Sequence, residues 1–177
     1  DLGQYIPIAT PFATKPAGVP DDGDYYEIGL SDYEQLLHSD IPSTKLRGYK
    51  DLNPASPSYD QNHYLGPVII AKKGRPVRIK FQNLLGTGSS GDLFVPVDTS
   101  LMGAGMGPLD ANGNACNPMT QSCATYTQNR ANLHLHGGDT PWYSDGTPHQ
   151  WFTPAGEETP YKKGVSFHNV PDMPDPG

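Results

Sequence analysis

Glycine and proline constrain the fold of this chain more than any other feature, because together they make up 39 of its 177 residues, about 22%. That share is well above the usual ~12% but below the level of purely low-complexity chains. Leu, Ile, Val and Phe number only 33, yet ten tyrosines and two tryptophans are more aromatic residues than disordered chains carry. The composition predicts a one-domain, turn-rich β protein and excludes a helical bundle. It also raises the question of whether the chain completes a core alone.

The charge balance excludes nucleic acid as a partner. Twelve basic residues stand against nineteen acidic ones, for a net charge of −7. In the densest basic run, residues 72–80, basic side chains alternate with Val77 and Ile79. This pattern predicts the solvated face of a strand rather than a phosphate-binding patch. No stretch approaches 18 apolar residues, and the sequence therefore predicts no membrane span.

The two cysteines, Cys116 and Cys123, lie close together in a polar loop. A disulfide would close a small ring there and would fit an exported protein, whereas metal ligation is the alternative. A zinc ribbon would need a second pair of ligands. The chain begins at Asp1 rather than methionine, which suggests a processed mature chain or a trimmed one. Export, to the periplasm, the medium or a cell or spore surface, is the expectation.

Proline and glycine also divide the chain into segments. Residues 1–24 are predicted to form an extended arm, and residues 86–130 a long loop-like insertion. Between them, Tyr25–Leu30 has a strand pattern, and Asp32–His38 reads as one helical turn or a second strand.

The clearest predicted strand pair follows Pro67. Val68–Ala71 is a short apolar run, residues 73–75 form a turn signal, and Pro76–Asn83 alternates apolar and polar residues with the period of a half-buried strand. Gly164–Val170 is a possible last strand.

The segment from Ala131 to Glu157 carries the chemistry. If Asn132–His136 is a strand, His134 and His136 share one face, roughly 6–7 Å apart at Cβ, while two leucines face the other way. Neutral imidazoles presented together are good ligands for copper, zinc, iron or nickel. A His-x-His pair alone is also common on solvated surfaces, so the pair by itself leaves both interpretations open.

The residues around His134 and His136 distinguish between families of metal-binding proteins. The cupin metal motif needs a glutamate shortly after its histidines, where this chain has Thr140 and Pro141. In contrast, HLHGGDTPWYSDGTPHQW resembles the first copper motif of multicopper oxidases, especially the branch of laccases, spore-coat laccases and bilirubin oxidases. YLGPVIIAKKGRPVRIKFQNLL and IPSTKLRGY are also similar to segments of that family. The resemblance covers roughly residues 25–170, apart from the insertion.

The resemblance implies a role for three residues. His134 corresponds to a ligand of the type 2 copper, and His136 to a ligand of one of the paired type 3 coppers. Asp145, in Ser-Asp-Gly, corresponds to an acid beside the cluster that assists proton delivery during oxygen reduction. Ser-Asp-Gly is also an ordinary turn sequence, which is the alternative for Asp145.

The resemblance also implies a fold and a partner. The fold is an all-β, Greek-key cupredoxin-like sandwich spanning residues 25–177, incomplete at its C-terminal end. The family needs four His-x-His motifs and a Cys-His pair, of which this chain carries one motif. The remaining ligands, including those of the type 1 copper, are therefore expected from the C-terminal part of the oxidase, as another chain or fragment. The exposed sheet edge of a truncated sandwich would pair with it.

The expected activity is that of the assembly, which would couple one-electron oxidation of phenolic, aromatic or metal-ion donors to reduction of O2 to water. The first alternative is a non-catalytic copper-binding cupredoxin module, and the second is a zinc or iron enzyme using the same two histidines.

Other candidates fit simpler roles. An accessory copper site at Met102 and Met106 competes with a flexible apolar loop. The remaining histidines and the tryptophans are assigned to surface, packing or local hydrogen bonding: His38, His63, His149, His168, Trp142 and Trp151.

Overall fold

The computed structural model describes residues 6–146 and 149–165. The chain divides into two compact units, residues 1–84 and 85–177. Within the described ranges there is no α-helix, and the regular elements are three strands and two short 3-10 helices. The fold is nearly all-β with an open sheet, as expected for part of a cupredoxin-like sandwich. No helix in the described ranges has the length and apolar character needed to cross a membrane.

A three-stranded mixed sheet forms the first unit, in the order β2-β1-β3. β1 spans Asp24–Gln35, β2 spans Thr44–Asp51 and β3 spans Val77–Asn83. β1 is antiparallel to β2, with Ile28 opposite Asp51, and parallel to β3, with Ile28 opposite Phe81. The core of the unit lies along the first half of β1, where Tyr25, Tyr26, Ile28 and Leu30 are buried.

The predicted strand at 76–83 is confirmed as β3. The prediction that Val68–Ala71 forms the strand paired with it is wrong. Ile70 is exposed and Val68 pairs only with Ile8, in a single parallel bridge. β3 instead pairs with β1, which runs unbroken through Ser31 and so takes most of the ambiguous segment 32–38 into one long strand. The expected burial alternation is wrong in the first half of β3, because Val77 and Ile79 are 37% and 41% exposed whereas Arg78 between them is partly buried.

Hydrogen bonds from polar side chains hold residues 8–11 against the rest of the first unit. The carboxylate of Asp51 is fully buried and accepts hydrogen bonds from the backbone N–H of Asn53 and the hydroxyl of Ser58. Asn53 Nδ2 in turn donates to the backbone oxygens of Thr10 and Pro11. A buried carboxylate is tolerated when donors surround it, so this network fixes the segment without an ion pair.

The second unit is built from turns and isolated bridges around an aromatic cluster. Its 3-10 helices span Gly88–Gly91 and Trp142–Ser144. Tyr126 packs against Trp151 and Tyr161, with ring centroids 5.4 and 4.7 Å apart. Tyr161 is 1% exposed, and its hydroxyl contacts the backbone of Leu109 and Ala124. This ring therefore anchors much of the 86–130 segment.

The two cysteines predicted to form a disulfide are close together in the structure. Cys116 and Cys123 lie at disulfide bonding distance, with Cα atoms 5.8 Å apart. Most of the possible strand at 164–170, together with His168, lies outside the described residues. The proposed division into an arm at 1–24 and a domain at 25–177 stays a prediction.

Candidate metal centre

His134 and His136 lie side by side, although not on a strand. Their ring centroids are 5.4 Å apart, and Nε2 of His134 is 3.3 Å from Nδ1 of His136. The predicted strand at 132–136 is wrong, because only the preceding residue, Ala131, makes a bridge and Gly137 turns the chain at φ +76°. The structure nevertheless brings the two imidazoles together.

Backbone pairing just upstream holds this segment in place. Ala131 and Phe152 exchange two backbone hydrogen bonds of 2.9 and 2.7 Å. Asn132 Nδ2 donates to the backbone oxygen of Gln150 at 2.8 Å. Trp151, which lies between Gln150 and Phe152 in the sequence, is buried and donates its indole N–H to the backbone oxygen of Tyr161. The segment that carries His134 and His136 therefore begins at a backbone-paired residue, Ala131, and ends in an exposed turn.

Asp145 reaches His134 from the turn that follows the second 3-10 helix. Its Oδ1 lies 3.2 Å from Nδ1 of His134, and its backbone oxygen accepts a hydrogen bond from the same nitrogen. An imidazole that donates from Nδ1 has its lone pair at Nε2. This arrangement therefore fixes the tautomer of His134 and directs the lone pair of Nε2 toward the His136 side.

Gly146 lets the turn approach so closely. Its φ is +72°, and a Cβ added there would lie 2.9 Å from the Cβ of His134 and 3.1 Å from the backbone oxygen of Leu133. A side chain at this position would have to push the turn away from the histidine. The glycine thus places Asp145 within reach of His134.

The donor set fits copper in part. Imidazole nitrogens are suitable copper ligands, and those of His134 and His136 are close together on an exposed surface. Among the described residues, however, no group of three His, Cys, Asp or Glu side chains is arranged to hold a metal ion. The described part of the chain therefore offers these two imidazoles as an adjacent pair of candidate ligands.

The other sequence candidates lie in varied settings. His149 is exposed, near His134 in a cleft. The sulfur of Met106 accepts a hydrogen bond from the backbone N–H of Cys123, while the side chain of Met102 is fully exposed. Trp142 is 51% exposed, whereas Trp151 is buried. His38 lies 3.8 Å from Asp40, and His63 stacks on Tyr64.

Sequence reasoning missed Arg130. Its guanidinium lies over the rings of Tyr126 and Trp151, 4.8 Å from each centroid, and Nη2 donates to the backbone oxygen of Gly103. Burial lowers the pKa of Arg130, and Tyr126 partly opposes that shift. No local motif marks this arginine, because two of its three partners, Trp151 and Gly103, are more than 20 positions away; Tyr126, four residues before it, was the available signal.

Comparison with known proteins gives three relatives, all laccases. The chain is 30% identical over 159 residues to a laccase of Bacillus subtilis, covering 89% of this chain and 25% of that protein. It is 29% identical over 154 residues to a laccase of Haloferax volcanii, covering 87% and 22%. A laccase of Bacillus stratosphericus is 30% identical over 135 residues, covering 76% and 20%. No family model matches the chain. The chain spans a quarter or less of the length of these curated relatives.

Proposed function

The chain belongs to the multicopper oxidase family, and on that premise we propose that it is the amino-terminal part of a laccase-like oxidase. In this proposal His134 is a ligand of the type 2 copper and His136 a ligand of a type 3 copper in a trinuclear cluster. The type 1 copper and the remaining ligands belong to the rest of the oxidase.

One observation carries the proposal above all. Nε2 of His134 and Nδ1 of His136 lie 3.3 Å apart on an exposed surface, while the opposite nitrogen of His134 is held by Asp145. An imidazole oriented through one nitrogen is prepared to ligate a metal through the other, and such partners raise the basicity of the ligand.

Copper, when bound, supplies one-electron chemistry that couples oxidation of a donor to four-electron reduction of O2 to water. The chain's own residues orient the ligands and move protons. Asp145 holds the ring of His134 through Nδ1, and its side chain is 64% exposed. Its carboxylate can therefore exchange protons with water while it contacts the ligand, which supports the proton-delivery role.

The proposed partner is the remainder of the oxidase. The described residues supply two imidazoles rather than a complete ligand set, and the relatives are at least four times longer than the matched region. Phenolic or aromatic compounds and metal ions are the proposed donors, and they would be bound outside this segment.

We place the protein outside the cytoplasm. Cys116 and Cys123 are at disulfide distance, and disulfides persist in oxidising compartments. Intact mass measurement before and after reduction tests this, since a disulfide adds two hydrogens on reduction. Two free thiols in the natively isolated protein would contradict it.

The experiment that tests the function isolates the protein from its natural source and combines mass spectrometry, metal analysis and O2 uptake with a phenolic donor. We expect three further His-x-His motifs and a Cys-His pair, on the same polypeptide or a tightly bound one, together with several copper ions and O2 consumption. A folded 177-residue species alone, binding copper without O2 uptake, would favour the non-catalytic module and contradict the oxidase. Zinc or iron in place of copper would contradict both.

A further inference from the structure

A cleft of about 550 Å³ opens beside His134 within the second unit. The described residues that line it include Arg130, Tyr126 and Trp151, together with Leu133 and the fully exposed Met102. The cleft therefore combines one permanent cation with aromatic and apolar surface.

Arg130 carries the permanent charge among the described residues that line the cleft, and the nearby carboxylate of Asp145 is directed at Nδ1 of His134. The chain carries a net charge of −7, but none of the described residues that line the cleft is an aspartate or glutamate. Its ionisable lining side chains are Arg130, the histidines His134 and His149, and the phenol of Tyr126. An anion that reaches this cleft would meet no carboxylate among the described lining residues.

Arg130 is held in one orientation. The rings of Tyr126 and Trp151 lie 4.8 Å from its central carbon, and the backbone oxygen of Gly103 accepts a hydrogen bond from Nη2. The two rings are nearly perpendicular to each other with centroids only 5.4 Å apart, so both lie on one side of the guanidinium, and an anion would pair with the N–H groups along its edge. Such an edge matches a carboxylate in a paired, two-bond geometry.

Arg130 has no acidic partner in the described part of the chain. Within residues 6–146 and 149–165, no carboxylate forms an ion pair with it. Burial lowers its pKa because the charged form loses water. A partly desolvated cation without an ionic partner gains more from an incoming anion than a solvated one does.

We propose that this cleft binds a small organic carboxylate with an apolar or aromatic body, with Arg130 gripping the carboxylate. Leu133 and Met102 would contact the body of the ligand. His134, the proposed type 2 copper ligand, borders this cleft, so the carboxylate would bind beside the metal site, and its binding does not require turnover of the oxidase.

Calorimetric titration of the purified full-length protein with benzoate, and with benzamide as its neutral counterpart, tests the proposal. Benzoate is expected to bind at least tenfold more tightly than benzamide, because only benzoate can pair with Arg130. Equal affinities, or no binding of benzoate, would overturn the carboxylate site.

Two substitutions separate Arg130 from other anion sites. Arg130→Gln is expected to weaken benzoate at least tenfold and leave benzamide unchanged, while Lys73→Gln, which removes an exposed charge in the first unit, is expected to change neither. Arg130→Lys keeps the charge but loses the paired geometry, and should give an intermediate affinity. If Arg130→Gln fails to fold, unchanged benzoate affinity in Arg130→Lys would overturn the proposal. Unchanged affinity in folded Arg130→Gln would also do so, since the anion would then sit elsewhere, for example on the metal.

Discussion

Oδ1 of Asp145 lies 3.2 Å from Nδ1 of His134, and the backbone oxygen of Asp145 contacts the same nitrogen. One residue thus holds this histidine through both its main chain and its side chain. The backbone contact would survive a change of side chain. The carboxylate is therefore not the sole support of the imidazole, as its proposed role in proton delivery requires.

Asp145→Asn is expected to lower O2 reduction at least tenfold while leaving copper content near that of the wild type. The amide keeps a polar contact with His134 but cannot accept and release protons as a carboxylate does. Steady-state O2 uptake together with metal analysis measures both quantities. Asp139→Asn, at an exposed acid in the same region, is the matched control. Wild-type turnover in Asp145→Asn would refute the proton-delivery role.

Gly146→Ala is expected to destabilise the protein and reduce copper binding together. The alanine pays about 1 kcal/mol for its positive φ, and its Cβ also meets the Cβ of His134 at 2.9 Å. Gly137→Ala provides the control, since its φ is +76° and a Cβ there has no neighbour within 4 Å. Equal copper content in the two variants would show that the close approach at Gly146 does not position His134.

Tyr161→Phe is expected to lower the free energy of unfolding by about 1–3 kcal/mol, because it removes buried hydrogen bonds without changing the ring. The hydroxyl accepts from the N–H of Leu109 and donates toward the carbonyl oxygens of Leu109 and Ala124. Urea denaturation measures the change, with the half-exposed Tyr59→Phe as control. Equal stability of the two variants would contradict an anchoring role for Tyr161.

The stability of the first unit should fall between pH 10 and 12 because of Tyr25. Burial, followed by the hydrogen bond to Glu27, raises the pKa of Tyr25 from 10.0 to about 12. Its folded-state pKa is therefore above the unfolded value, so this stabilising contribution is complete below pH 10 and is lost as pH rises toward 12. The difference in unfolding free energy between wild type and Tyr25→Phe should therefore shrink across this pH range, by on the order of 2 kcal/mol. Tyr64→Phe, at an exposed site, should follow the wild type in parallel, and a constant gap for Tyr25→Phe would contradict the shift.

The sequence predicted the parts of the molecule that depend on local pattern. Alternation located β3 to within one residue, and the family resemblance predicted an all-β fold. The rings of His134 and His136 are adjacent as predicted, although the prediction assumed that the segment is a strand. The strand assigned to them was wrong because pairing stops at Ala131, and a short alternating run cannot reveal whether a partner strand continues beside it.

The long-range contacts could not be predicted in this way. Tyr161 reaches Leu109 across 52 positions, and Arg130 donates to Gly103 across 27. Neither residue belongs to a recognisable motif, and each becomes informative only when the turns between them are folded. The contacts of Arg130 with Trp151 and Gly103 therefore become visible only in the folded structure.

Copper content and the type 2 copper signal in electron paramagnetic resonance, compared between His134→Ala and His149→Ala, test the central claim most directly. Both histidines border the same cleft, but only His134 is held at Nδ1 by Asp145 and faces His136 through Nε2. The proposed ligation predicts that His134→Ala loses the type 2 signal and O2 reduction, while His149→Ala retains the signal. A full copper complement and an unchanged type 2 signal in His134→Ala would contradict the account.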